Sequence, residues 1–143
     1  MNIFADPATC LALAIYWEAR NQPTAGQVAV AQVVINRVNG DGFPDNVCDV
    51  VTQGPTYKSN PDLPVRHMCQ FSFYCDGKSD DPKDHKSWDK AKYLSWRVIH
   101  NQSVDISDGA LYYQLTQSFV FAVLIVMAKE VLSHMYMNLG VKV

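Results

Sequence analysis

The eight residues from Cys10 to Trp17 are all apolar, and the next residue is Glu18. A run this uniform offers water no face at a period of 3.6 residues, so as a helix it has to be enclosed by other elements on every side. Asp6-Pro7 just ahead of it supplies a cap and a proline for the first turn, which predicts a helix over residues 8–20. Glu18 closes that segment, in surroundings where an unpaired carboxylate is costly. It is one of only two Glu in the chain, the other being Glu130, against twelve Asp. Most of the Asp residues sit in turn-forming company, as in Gly40-Asp41-Gly42, Asp80-Asp81-Pro82 and Ser107-Asp108-Gly109, where capping and turn nucleation explain them. Glu18 has no such explanation.

Asn21-Gln22-Pro23 ends the first helix. Thr24-Ala25-Gly26-Gln27 then has the form of a capping box, and the spacing of Val28, Ala31, Ile35 and Val38 predicts a second, antiparallel helix to Asn39, with Asn36 and Arg37 pointing elsewhere. Residues 40–67 hold four prolines and room for one short helix near residues 45–52. Between Cys69 and Cys75, Gln70-Phe71-Ser72-Phe73-Tyr74 alternates polar and aromatic residues, which reads as a strand of a short β hairpin near residues 69–77. A further helix is expected over about residues 83–100, with Trp88, Ala91, Leu94 and Val98 on its apolar side. The fold class that follows is mainly α (α+β) in a single domain, which 143 residues suffice to build.

A net charge of −2 leaves no basic surplus for a phosphate backbone, so nucleic acid is not an expected partner. The four cysteines allow three pairings, among which the sequence does not choose, and no Cys-x-x-Cys pair favours zinc. Neither a metal nor a cofactor is expected. Residues 119–128 form an apolar run of ten, too short to span a bilayer. A core element is the favoured reading of that run, with an interfacial membrane contact as the alternative.

Several ordered blocks resemble the SleB-like cell wall hydrolases, a family that includes spore-cortex-lytic enzymes. The first is Tyr16-Trp17-Glu18-Ala19-Arg20 at the end of its apolar run, followed by Gly26-Gln27-Val28-Ala29-Val30-Ala31 and Val33-Val34-Ile35-Asn36-Arg37-Val38. Phe43-Pro44-Asp45-Asn46-Val47-Cys48, Cys69 to Gly77, and Gly109-Ala110-Leu111-Tyr112-Tyr113 complete the set, which covers about residues 10–113. Two positions depart from the family pattern. Asn21-Gln22 stands where the family commonly has Gly-Glu, and Gln114 with the apolar run replaces a His and a downstream Pro-x-Trp. Residues 6–113 are therefore read as the catalytic domain and 114–143 as a divergent apolar ending.

The resemblance implies a lysozyme-like or lytic-transglycosylase-like fold and cleavage of the glycan strand of peptidoglycan, with Glu18 as the catalytic acid. The residues themselves agree: burial and the negative end of the helix both favour the neutral acid that must protonate a leaving sugar oxygen, with Arg20 as the opposing charge. A single acid favours the lytic transglycosylase route over hydrolysis, for which Asp62 and Asp76 are the candidate second carboxylates. Gln70 and Ser72, on one face of the expected strand, and Tyr112 and Tyr113, as aromatic surface for a pyranose, are the substrate-binding candidates. Cys69 and Cys75 read as a staple. Two other functions stay open: a wall-binding domain that has lost turnover, and a cysteine or zinc hydrolase that cleaves the peptide. Action at the bacterial wall or periplasm, without an N-terminal leader in Met1 to Asp6, suggests a phage-encoded protein released by permeabilisation of the host membrane.

Overall fold

Asp6 caps the first helix as its place before Pro7 predicts, its carboxylate accepting the Thr9 N–H at 2.9 Å. That helix, α1, runs Pro7–Ala19, and every side chain from Cys10 to Tyr16 is at most 2% exposed. The computed structural model describes residues 2–113. In chain order it then has α2 (Thr24–Val38), α3 (Val47–Val51), β1 (Thr56–Tyr57), β2 (Asn60–Pro64), a 3-10 turn (Ser72–Cys75) and α4 (His85–Ile99). α1 packs against α2, α3 and α4 together, which is how a helix without a polar face is satisfied. Each fully buried Leu or Ile on it, Leu11, Leu13 and Ile15, contributes about 1.5–3 kcal/mol.

The mainly helical α+β class expected from the sequence is the class observed, but its hairpin lies elsewhere. β1 and β2 pair antiparallel over residues 56–64, and the 69–77 segment has no strand. A disulfide joins Cys69 to Cys75 with the Cα atoms 6.1 Å apart, whereas six residue steps in extended chain cover about 20 Å. The closed ring folds into the 3-10 turn instead. Phe71 and Phe73 are buried, but Gln70 and Ser72 do not share a strand face.

The second disulfide, Cys10–Cys48, ties α3 to the first turn of α1. α2 departs from expectation at its start and in its facing. Thr24 lies inside the helix, Pro23 occupies the cap position without a side-chain bond, and the Gln27 amide donates to the Gln22 carbonyl at 2.9 Å, so no reciprocal capping pair forms. The deepest face carries Val30, Val33, Val34 and Arg37, with Val28, Ile35 and Val38 only partly buried. In a helix this apolar, two stripes have helical spacing, and packing against α1 selects the one that includes Arg37.

One edge of α2 also holds the chain's later residues. The Gln32 side chain accepts the Ile106 and Ser107 N–H groups and donates to the Val104 carbonyl at 2.7 Å. One turn on, Asn36 donates to Ser107 Oγ and the Ala110 carbonyl, and Arg37 Nε donates to the Leu111 carbonyl at 2.7 Å. This clasp fixes the strandless segment 104–111 and with it the position of Tyr112 and Tyr113. The apolar run at 119–128 and the proposed boundary at residue 114 lie outside the described residues.

Candidate functional site

Glu18 stands on the last turn of α1, partly buried and still open to solvent. Its neighbours on the helix are pinned. The Tyr16 hydroxyl accepts the Lys83 and Asp84 N–H groups, and Trp17 Nε1 donates to the Asp80 carbonyl at 2.9 Å. The Trp17 ring stacks on Phe73 with centroids 6.2 Å apart, and the Arg20 guanidinium lies 4.8 Å from the Tyr16 ring centroid and 5.1 Å from that of Trp17. Arg20, expected to oppose the neutral acid, is thus committed to these aromatic faces.

The cation that acts on Glu18 is Arg37, a residue off the apolar stripe that the spacing of α2 predicts. Its side chain is fully buried. Phe43, Phe71 and Tyr112 surround the guanidinium with ring centroids 5.3, 5.7 and 5.4 Å away, and only Nε has a hydrogen bond, to Leu111. Nη1 and Nη2 are buried without a hydrogen-bond partner, and so is the hydroxyl of Tyr113, itself 2% exposed. Burial drives the Tyr113 hydroxyl well above its ordinary pKa, and the Glu18 charge pushes the same way. The phenol therefore keeps its proton and is available as a donor.

Burial raises the Glu18 carboxyl from an ordinary 4.5 to about 6, against smaller opposing effects of the Tyr113 hydroxyl and the Arg37 charge. Near neutral pH such a carboxyl exists in both forms, the condition for giving a proton and taking one back. As its proton leaves, the growing negative charge meets a phenol donor and a guanidinium already fixed in place.

Of the candidates named from the sequence, the structure brings Glu18, Tyr112 and Tyr113 into one locality around Arg37. Tyr112 is half-buried, edge-on to Phe43 and beside the guanidinium, which leaves part of one ring free for contact. Gln70 is half-buried with its side-chain oxygen unpartnered, and its neighbour Phe71 abuts the guanidinium. Ser72 is exposed at the start of the 3-10 turn, and Asp62 is exposed on β2. The Asp-Asp-Pro context of Asp80 assigns it to a turn, yet burial first and then Asp76 raise its carboxyl to about 6. Its partial burial beside Trp17, invisible in the sequence, sets it apart from the exposed turn acids. All four cysteines are in disulfides, so none offers a thiolate nucleophile, and no group of three or more potential metal ligands occurs among the described residues.

Residues 21–136 match the family model described as Cell Wall Hydrolase. The chain belongs to that family. Glu18 lies just ahead of the matched stretch, which extends beyond Tyr113 into the apolar ending. The curated relatives of this cell wall hydrolase include the spore cortex-lytic enzymes of Halalkalibacterium halodurans, 56% identical over 41 residues, Oceanobacillus iheyensis, 54% over 41, and Bacillus subtilis, 51% over 41. Each match takes in 29% of this chain and 12%, 15% and 13% of the respective relative, so the chain spans a small part of their length. These sources are bacteria and lend no support to the phage route. No solved structure matches the chain, and no described helix is long and apolar enough to cross a membrane.

Proposed function

We propose that this cell wall hydrolase cleaves the glycan strand of peptidoglycan at the bacterial wall, as a lytic transglycosylase with Glu18 as its one acid/base. The observation that carries this reading is a carboxyl held near pKa 6 and influenced by two buried groups, the Arg37 guanidinium, whose Nη atoms have no hydrogen-bond partner, and the Tyr113 hydroxyl. Protonated Glu18 gives its proton to the glycosidic oxygen as the bond from that oxygen to the muramyl C1 breaks. The resulting carboxylate takes the proton of the muramyl 6-hydroxyl, whose oxygen bonds to C1. Glu18 ends protonated, no water is consumed, and the product carries a 1,6-anhydromuramyl end. Tyr112 offers a ring for sugar stacking and Gln70 a side-chain amide for hydrogen bonding, while Ser72 contributes from the exposed end of the same loop.

Asp80 carries a second reading within the same activity. With its carboxyl also raised to about 6 and its backbone holding Trp17, it offers a base for water, and hydrolysis would then leave a reducing end. Mass spectrometry of muropeptides released from purified walls separates the two. Anhydromuramyl ends are expected. Reducing ends that disappear in Asp80→Asn would replace the transglycosylase reading with hydrolysis, and peptide fragments alone would overturn both.

A further inference from the structure

A cavity of about 370 Å3 lies between the β1–β2 hairpin and the disulfide-closed turn, lined by Tyr57, Leu63, Pro64, Arg66, Tyr74 and Lys78 among others. It is separate from the Arg37 cage, but the same turn serves both, since Phe73 stacks on Trp17 beside Glu18 and the next residue, Tyr74, lines the cavity. Two features distinguish it from an ordinary surface hollow. The first is its charge. Its two ionisable side chains of fixed sign are both cations, Arg66 and Lys78, and no carboxylate lines it. The chain has more acids than bases, fourteen against twelve, yet among the described residues the ion pairs are Lys83–Asp81 and Lys92–Asp89, and neither Arg66 nor Lys78 is in one.

The second feature is the seat of Arg66, an exposed side chain. Its guanidinium lies flat on Gly77, where a Cβ would stand 2.9 Å from Nη2 and 3.0 Å from Cζ, and Gly77 has φ +81°, a conformation that glycine adopts without strain. The segment behind it is held by the His67 N–H, which donates to the Cys75 carbonyl at 2.9 Å, and by the Val65 N–H, which donates to the Pro55 carbonyl at 2.9 Å. The opposite wall is apolar and aromatic, with Tyr57 and Leu63 41% and 50% exposed. A planar guanidinium and an ammonium over such a wall match a carboxylate on a short chain that has some apolar surface of its own.

We propose that this cleft is a carboxylate-binding site, and that it takes a free carboxylate of the peptide carried by the glycan substrate. The proposal rests on the reading of the chain as a peptidoglycan-cleaving enzyme. It adds a peptide-recognition element to a site otherwise described by its sugar contacts. Engagement of the peptide at the cleft sets which stretch of glycan lies over Glu18, so the cleft affects KM more than kcat.

The test uses the full chain and a synthetic stem pentapeptide ending in D-Ala-D-Ala, as the free acid and as a fully amidated form, titrated by calorimetry. The free acid is expected to bind at least about tenfold more tightly than the amide, and Arg66→Gln/Lys78→Gln to lose that difference, as for removal of charge-assisted contacts to one carboxylate. Equal affinity for the two peptides, or a double variant that still discriminates between them, overturns the proposal. The comparison of peptides within the wild-type chain does not depend on how the variant folds. In parallel, wall cleavage is followed on intact walls and on walls stripped of peptide by an amidase. A wild-type KM that rises about tenfold on stripped walls, with no such rise in the variant, supports the site. Cleavage of both walls with equal KM overturns it and leaves the glycan reading standing. Peptide binding in a chain that cleaves neither wall supports the carboxylate site and overturns the glycan reading instead.

Discussion

Glu18 holds its proton to about pH 6 because burial penalises the carboxylate more than Tyr113 and Arg37 favour it. That imbalance has a consequence for stability. Its pKa is higher in the fold than the ordinary 4.5, so the contribution of the neutral form is fully present below pH 4.5 and is lost as pH rises through about 6. At pH 7 the ionised carboxyl then costs about 1–2 kcal/mol. Glu18→Gln is therefore expected to match the wild type in thermal melts at pH 4 and to melt higher at pH 7, while wall lysis is abolished. A variant that melts lower at pH 7 would contradict the account. Tyr113→Phe removes an influence that lowers the Glu18 pKa, so the alkaline limb of its pH–activity profile is expected to move upward, and an unmoved or lowered limb would show that the phenol does not act on the acid. Glu18 was legible in the sequence because a carboxylate at the end of an apolar helix has few benign explanations. Arg37 was not. Its burial depends on Phe43, Phe71 and Tyr112, which come from three separate loops, and helical periodicity alone assigns a charged residue to the surface.

At the scale of elements, the cap, length and burial of α1 followed from its own residues, and α4 likewise begins on a local signal, Asp84 accepting the Ser87 N–H and hydroxyl. The 69–75 segment misled because alternation of polar and aromatic residues is a strand signal only in a chain free to extend, and the Cys69–Cys75 bridge removes that freedom. The observed hairpin was hidden by Pro61 and Pro64, which demote a strand reading. The two bridges differ in what they constrain. By loop closure, Cys10–Cys48, 38 residues apart, is worth about 4 kcal/mol and Cys69–Cys75, six apart, about 2 kcal/mol. Denaturant melts of Cys10→Ala/Cys48→Ala and Cys69→Ala/Cys75→Ala are expected to show both destabilised and the first more so. The second should lose proportionately more wall lysis, because its ring positions Phe73 against Trp17 and Phe71 against Arg37. The reverse order of stability would count against a loop-entropy account.

For the molecule as a whole, the fold is a buried helix wrapped by three others, with a clasp from Gln32, Asn36 and Arg37 that carries Tyr113 back to Glu18. That closure joins residues nearly a hundred positions apart, and no local pattern in the sequence announced it. We propose that residues 114–143 are a divergent ending attached after the clasp. A chain ending at Tyr113 is then expected to unfold cooperatively near the full-length temperature and to associate less in sedimentation, and a lower melting temperature with poorer solubility would contradict this. The central claim, that Glu18 is poised as an acid near neutrality, can be measured directly because the chain contains only two Glu. With carboxyl-13C glutamate incorporated, an NMR titration gives two resonances, and the one missing in Glu18→Gln is Glu18. A midpoint near pH 6 that coincides with the alkaline fall in wall lysis is the predicted result, and a midpoint near 4.5 would contradict it.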